Sequence, residues 1–228
     1  MVQIFEPTEV IIMEIMEVME ARHSVRQYTT QKIEIEKRNE LNELCDKLNE
    51  ESGMHIQIIY DEPKCFDGFM AHYGKFSGTA NYIALVGPKG KDLDEKAGYY
   101  GEQLVLKAQE LGLNTCWVAL THGKSKAVIG KGEKQAIIIS LGYGETQGVA
   151  HTSKEVSKLA KMEDDAPQWY KDGVKAALLA PTAMNQQKFM IEQAEEEAKI
   201  TSLGGMYTKL DLGIVKYNFE AASGHKTV

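Results

Sequence analysis

Four side chains that can bind an anion lie close together near the start of the chain: Arg22, His23, Ser24 and Arg26, in the stretch ARHSVRQY. Arginine offers a fixed fork of N–H donors that fits a phosphate, and serine adds a hydroxyl. In an extended segment, alternation places Arg22, Ser24 and Arg26 on one side, with Val25 inward. The stretch therefore predicts a site for a phosphate or a phosphorylated cofactor. The alternative is a set of solvated cations, favoured by the dipole at a helix C-terminus.

A second polar stretch, LLAPTAMNQQKF, follows a predicted helix that stops at Pro181. Its polar residues, Thr182, Asn185, Gln186 and Gln187, follow in close order. Their hydroxyl and amide groups both donate and accept hydrogen bonds, as the recognition of a neutral heterocycle requires. The alternative is a turn that ends the helix, in which Asn185 bonds its own backbone.

The composition limits the kinds of ligand that these two stretches can bind. The net charge of the 228-residue chain is −7, which argues against a general nucleic-acid binder and favours a small anion for the basic cluster. Cys45, Cys65 and Cys116 are an odd number without metal-type spacing, which predicts reduced thiols, a cytoplasmic protein and no metal. No apolar run has the length of a membrane span, so we expect no membrane partner. The acidic start MVQIFEPTEV is not typical of a signal peptide, and residues 1–13 are expected to form an extension.

Apolar periodicity predicts mixed α and β elements that must position the two stretches. Helices are predicted over residues 10–22, 34–50, 98–112, 168–180 and 209–224. Strands are predicted over residues 55–63, 81–90, 113–120 and 135–144. Residues 145–168 are expected to form an exposed connector, and residues 188–202 a strand followed by a helix or an edge strand.

Five segments resemble motifs of the FMN-dependent nitroreductase family, in order over residues 14–223. ARHSVRQY resembles the family's N-terminal FMN-binding signature, and APTAMNQQKF resembles its second signature. LGLNTCWVAL resembles the strand whose backbone faces the flavin, LGYG the end of the next core strand, and DLGIVKYNFEAAS a long helix of the second half. The resemblance implies an α+β fold in three layers, with a central, mostly antiparallel sheet flanked by helices. It also implies a single FMN-binding domain over residues 14–228.

The distance between the two signatures departs from the usual family pattern. In ordinary members the second signature follows the first closely, whereas here 155 positions separate the last arginine of the first from the proline of the second. The chain therefore resembles the fused, Thermotoga-type subfamily, which implies two pseudo-symmetric halves, about 14–150 and 151–228, and one FMN per chain. The glycine-framed helices Gly101–Gly112 and Gly213–Gly224 are then expected to be equivalent. Both a monomeric pseudo-dimer and a homodimer are compatible with this layout.

The resemblance implies a role for each residue of the two signatures and of the strand between them. The residues expected to hold the FMN phosphate and ribityl chain are Arg22, His23, Ser24 and Arg26. Lys154 is expected to approach the phosphate from the far end of the chain, with His151 and Lys158 as alternatives. The residues expected to contact the isoalloxazine ring are Pro181, Thr182, Ala183 and Asn185, with Gln187 bracing their loop. The residues expected to present backbone groups near the flavin N5 are Trp117, Val118, Ala119 and Leu120. The alternative for Trp117 is a core aromatic.

The activity implied by the resemblance is that of an FMN-dependent NAD(P)H oxidoreductase. NADH or NADPH reduces FMN, and a small acceptor such as a nitroaromatic or a quinone then uses the same face in a ping-pong cycle. The sequence lacks the glycine-rich fingerprint of a dinucleotide-binding domain, and no side chain is assigned as a catalytic acid or base. His72, Tyr73 and His122 either face the acceptor or are ordinary loop residues. Two alternatives are a flavin protein with other flavin chemistry or a storage role, and a non-catalytic ligand-binding protein that has lost FMN.

Overall fold

The computed structural model describes residues 14–228, so the predicted extension and the first residues of the helix predicted over 10–22 lie outside the described part. The helices are α1 (Ile15–Ala21), α2 (Ile35–Ser52), α3 (Phe69–Tyr73), α4 (Leu93–Glu110), α5 (Gln168–Ala177) and α6 (Thr208–Ser223). The strands are β1 (Gln57–Ile59), β2 (Asn81–Pro88), β3 (Asn114–Val118), β4 (Glu133–Gly142), β5 (Ala160–Lys161), β6 (Phe189–Ala194) and β7 (Glu197–Ser202). The fold is of the α+β class, as predicted.

A four-stranded antiparallel sheet, in the order β1-β2-β4-β3, occupies the centre of the first part of the chain. In its register Ile83 lies opposite Ile139, and Cys116 lies opposite Ser140. The first seven residues of β2 are all buried. One face of the sheet packs on α2 and α4, and the other packs on a smaller cluster around Phe66 and Phe76. A strand covered on both faces has a continuous apolar sequence, which is why short apolar runs in the sequence located β2 and β4.

A second, three-stranded sheet contains β5, β6 and β7 in that order. β5 is parallel to β6, and β7 is antiparallel to it. Residues 188–202 therefore form a β-hairpin, and the helix alternative for this stretch was wrong. Burial alternates along both strands, with Phe189 and Ile191 buried on β6 and Ala198 and Ile200 buried on β7, as one buried sheet face requires.

Two short elements were not predicted from the sequence. α3 has five residues between Gly68 and Gly74, too few to show a periodic apolar pattern. β5 lies within residues 145–168, so the prediction of an exposed connector there needs correction. Leu159 and Ala160 are 1% and 4% exposed, because this short segment pairs with β6 and covers the second sheet.

The helices α4 and α6 cross at two glycines, where their backbones touch. A Cβ on Gly98 would lie 2.0 Å from the carbonyl oxygen of Leu210, and a Cβ on Gly213 would lie 2.0 Å from that of Glu95. Each glycine thus faces the carbonyl three positions before the other, so the contact is reciprocal. From the sequence, Gly213 is expected to be equivalent to Gly101, as the first glycine of each glycine-framed helix. In this crossing, however, the glycine that pairs with Gly213 is Gly98. A reciprocal crossing is compatible with two related halves, which stay a prediction.

A methyl group at this crossing should destabilise the protein. Gly98→Ala or Gly213→Ala would push the two helices apart, and we expect each to lower the free energy of unfolding by about 1–3 kcal/mol or more, as overpacking of a tight contact does. Urea denaturation of each variant measures the effect. Gly68→Ala is the control, because a Cβ there meets nothing within 4 Å. Wild-type stability of both crossing variants would contradict the backbone contact.

Candidate functional site

The first polar stretch runs alongside β3. The chain leaves α1 at Arg22 in an extended conformation, with φ −74° and ψ 117°. Ser24 then pairs in parallel with Thr115 of β3, and the Val25 N–H donates to the Thr115 carbonyl at 3.0 Å. Val25 is buried, as the predicted alternation requires. The segment 22–26 thus lies beside β3, joined to it by an isolated β-bridge at Ser24.

The second polar stretch forms a loop after α5 with an unusual backbone. Met184, Asn185 and Gln187 have φ values of 51°, 52° and 44°. This left-handed region costs a residue with a Cβ on the order of 1 kcal/mol or more. Such a conformation persists only where the surroundings over-determine it, and it is frequent at binding sites.

Gln187 braces this loop from inside. Its buried side chain donates to the Thr152 carbonyl at 2.9 Å and to Asn185 Oδ1 at 2.7 Å, and it accepts from the Lys154 N–H at 2.8 Å. The Lys154 ammonium donates to the carbonyls of Gln186 and Gln187 at 2.7 and 3.1 Å. Both residues therefore hold the loop in shape.

Asp211, in the first turn of α6, holds the same loop from the other side. Its carboxylate accepts the Ala183 N–H at 2.9 Å and the Gln186 side-chain amide at 2.7 Å. Asp211 is buried, and burial raises the pKa of its carboxyl group while these two donors act in the opposite direction. No sequence motif points to Asp211, because a single acidic residue in a helix forms no recognisable pattern.

Two adjoining cavities of about 270 Å³ each lie between the two stretches. The basic cavity is lined by Arg22, His23, Ser24, Arg26, Val149, His151, Pro181, Thr182, Met184 and Asn185. The inner cavity is lined by Ser24, Arg26, Cys116, Trp117, Ala119, Leu120, Thr121, Ile137, Pro181, Thr182, Ala183, Met184, Met206, Tyr207, Leu210, Asp211 and Ile214. Five residues are common to both, so the two cavities adjoin and share a wall.

Most of the predicted site residues line this site, and three do not. Val118 is buried in the cluster on the far side of the sheet, whereas Lys154 and Gln187 brace the loop. Of the two alternatives to Lys154, His151 lines the basic cavity and Lys158 lines neither cavity. His72, Tyr73 and His122 also line neither cavity. The lining residues that sequence reasoning missed are Cys116, Thr121, Ile137, Val149, Met184, Met206, Tyr207, Leu210, Asp211 and Ile214. Only the three-dimensional arrangement brings them to the site.

Arg22 is buried, with 4% of its surface exposed, and its Nε has no hydrogen-bond partner within the described part of the chain. The alternative of a solvated cation therefore does not apply to Arg22. A buried guanidinium with an unsatisfied donor is costly, and the same residue lines the basic cavity. Arg26 is exposed and lines both cavities.

Trp117 belongs both to the core and to the wall of the inner cavity. Its ring packs so closely on α4 that a Cβ on Gly101 would lie 2.6 Å from it. Its indole N–H donates to Glu102 Oε2 at 3.2 Å. Burial raises the pKa of Glu102 to about 7, against the lowering effects of the Arg22 charge and of this hydrogen bond. A carboxyl group whose pKa is close to neutral pH thus lies directly behind the cavity wall.

Comparisons with known proteins identify the fold of the chain. A family model described as "Putative TM nitroreductase" matches residues 14–223. A "putative nitroreductase" from Thermotoga maritima is 22% identical, with a TM-score of 0.69, covering 97% of this chain and 88% of that one. Another from Desulfovibrio desulfuricans, solved in complex with FMN, is 17% identical, with a TM-score of 0.53, covering 67% of this chain and 98% of that one. A search of the curated proteins found no match.

The fold is that of a nitroreductase-type oxidoreductase. The chain belongs to the nitroreductase family of the Thermotoga type, whose model spans nearly all of the described residues. None of the helices in residues 14–228 is long and apolar enough to cross a membrane.

Removing the Asp211 carboxylate should loosen the loop it holds. In Asp211→Leu, the Ala183 N–H loses its acceptor. Hydrogen bonds to charged groups contribute about 1.5–3 kcal/mol, so we expect amide exchange at Ala183 to accelerate by about 10- to 100-fold. Hydrogen exchange followed by NMR measures this rate. The exposed neighbour Lys209→Leu should leave it unchanged, and an unchanged rate in Asp211→Leu would show that the loop is held by other contacts.

Proposed function

We propose that the protein is an FMN-dependent NAD(P)H oxidoreductase that passes hydride equivalents to a small acceptor in a ping-pong cycle. The single observation that carries the proposal is the meeting of two distant polar stretches around two adjoining cavities. A compartment lined by cations there adjoins a compartment lined mainly by apolar and aromatic side chains. That pairing suits a ligand with an anionic end and a flat ring. The FMN complex of the Desulfovibrio relative supports the same choice of ligand.

The basic cavity fits the phosphate end of FMN. Arg22 lines it with a buried guanidinium, and the exposed Arg26 adds a second one. Ser24 contributes a hydroxyl, and His23 and His151 contribute imidazoles whose Nδ1 and Nε2 lie 2.8 and 2.9 Å from the carbonyls of Arg22 and Leu178. Two arginines with a serine hydroxyl form a typical phosphate-binding set. These side chains would bind and neutralise the phosphate.

The inner cavity fits the ring end. Trp117, Ala119 and Leu120 would line one side of the ring, and Pro181 to Ala183 the other. The Thr182 hydroxyl accepts the Gln187 N–H at 3.1 Å and keeps its own proton to donate. Asn185 is engaged on both atoms of its amide, with Nδ2 donating to the Thr152 carbonyl at 2.9 Å. Thr182 is therefore better placed than Asn185 to form a hydrogen bond with an edge of the ring.

When bound, FMN supplies the capacity to accept and donate a hydride. The protein's residues bind and orient it, and the left-handed loop, held by Asp211 and Gln187, keeps the ring-contacting backbone rigid. No acid or base side chain is assigned a proton-transfer role.

The mouth of the site favours an apolar acceptor. Leu120, Met184 and Met206 line the inner cavity, yet 64%, 85% and 63% of their surfaces are exposed. Large apolar side chains at a cavity rim are typical of sites for apolar partners, and methionine adapts to varied shapes. These three residues support a nitroaromatic, a quinone or a similar flat molecule as the acceptor, with NADH or NADPH occupying the same face beforehand.

The visible absorption spectrum of the purified protein, with and without added FMN, tests the proposal. We expect a yellow protein with one FMN per chain that bleaches with NADH or NADPH under anaerobic conditions and regains colour with a quinone. Bound FMN that no nicotinamide reduces would favour the storage alternative. A colourless protein that ignores added FMN would favour the ligand-binding alternative.

Substitution of Arg26 tests the phosphate site. Because Arg26 is exposed, Arg26→Met should fold normally, and the loss of a charge-assisted hydrogen bond should raise the Kd for FMN by about 10- to 100-fold. Fluorescence titration of FMN measures this constant.

The matched control is Arg38→Met, because Arg38 pairs with Asp61 at 2.9 Å and lines neither cavity. Equal affinities of the two variants would remove the basic cavity from the proposed site.

A further inference from the structure

Glu102 on α4 is a charged residue that the proposed chemistry does not use. It is fully buried, and its Oε1 has no hydrogen-bond partner among residues 14–228. Its Oε2 accepts the Trp117 indole N–H. A buried carboxyl group with an unsatisfied oxygen destabilises a fold unless another role retains it.

The groups that influence Glu102 come from three other elements. They are Arg22 after α1, Trp117 on β3 and Tyr217 on α6. Tyr217 stays neutral over the physiological range, because burial raises its pKa to about 12. Arg22 is therefore the charge that opposes Glu102, although the two do not form an ion pair within 4.0 Å among the described contacts.

Arg22 is linked both to this carboxyl group, through its charge, and to the basic cavity, through its position in the cavity wall. It lines the cavity, while its charge stabilises the ionised form of Glu102 through the interior. One buried guanidinium therefore serves two anionic positions, one permanent and one open to a ligand. Trp117 has the same double position, with its N–H on Glu102 and its ring on the inner cavity.

We propose that Glu102 is a positioning residue whose protonation state depends on whether the basic cavity holds an anion. When the cavity holds no anion, the Glu102 carboxylate balances the charge of Arg22. When a phosphate-bearing ligand binds in the cavity, Glu102 takes up a proton. This inference rests on the proposed function, because FMN is the phosphate-bearing ligand used to test it.

The sign of the effect follows from electrostatics. The positive charge of Arg22 lowers the pKa of Glu102, and burial raises it, with a result of about 7. A phosphate beside Arg22 offsets that positive charge, so the pKa of Glu102 rises further. At pH 7 roughly half of the Glu102 side chains are ionised before binding, and binding then takes up about half a proton per FMN. At pH 5 the carboxyl group is already protonated, and this uptake disappears.

The test is calorimetric titration of FMN into flavin-free protein at several pH values, in buffers of different ionisation enthalpy. The dependence of the heat on the buffer gives the number of protons taken up. Because the FMN phosphate itself titrates near pH 6, the decisive quantity is the difference between wild type and Glu102→Gln. We expect Glu102→Gln to bind FMN and to lose about half a proton of uptake at pH 7 and none at pH 5.

Glu110→Gln, on the same helix but ion-paired with Lys107 at the surface, should match the wild type. Trp117→Phe is the second variant, which does not depend on the folding of Glu102→Gln. It removes the hydrogen bond that lowers the pKa of Glu102, so the pH of maximum uptake should move upward.

Each outcome is decisive. Equal proton uptake in wild type and Glu102→Gln, with FMN bound to both, would overturn the role of Glu102 and leave the proposed function standing. An unmoved pH maximum in Trp117→Phe would also overturn that role. Failure of the wild type to bind FMN at all would overturn both. A Glu102 that is only structural would lower stability on substitution without changing the proton count.

Discussion

The backbone contact between α4 and α6 is the constraint on which the rest of the structure depends. α4 covers the four-stranded sheet, and α6 covers α5 and the hairpin of β6 and β7. Gly98 and Gly213 allow the two helices to approach to the distance of backbone contact, which larger side chains would prevent. The separation of the two parts of the chain is thereby set, and with it the gap in which the two polar stretches face each other.

The site is built from a strained loop and buried charges that satisfy different demands. The left-handed residues of the loop would relax if they were free, but Gln187 and Asp211 tie them from two sides. Arg22 and Glu102 would each be expensive to bury alone. Because they share one interior region next to a cavity, each lowers the cost of the other, and the region is prepared to respond to an anion. Gln187 and Asp211 thus keep the loop rigid, whereas the neighbouring Arg22 and Glu102 provide charges that can respond to an anion.

The elements predicted from the apolar pattern are those whose burial is either continuous or repeats at the helical period. β2 and β4 are buried on both faces, and α5 and α6 carry apolar residues at helical spacing, so their local sequence records their environment. α3 and β5 are too short for a repeat. In residues 188–202, several acidic residues lie at the tip of the hairpin. In the sequence alone, this acidic run resembles the polar face of a helix. Only pairing with β5 and between the two strands makes this segment a sheet.

By itself, the sequence determined the fold class, the family and the two polar stretches, because these depend on residue types and short spacings. The tertiary structure alone decided that the stretches meet, that Arg22 is buried while Arg26 is exposed, and that Asp211, Met184 and Met206 belong to the site. It also decided that Glu102 lies behind Trp117. The physical reason is that a cavity and the pKa of a buried group depend on atoms from distant parts of the chain, and these come together only when α4 and α6 pack.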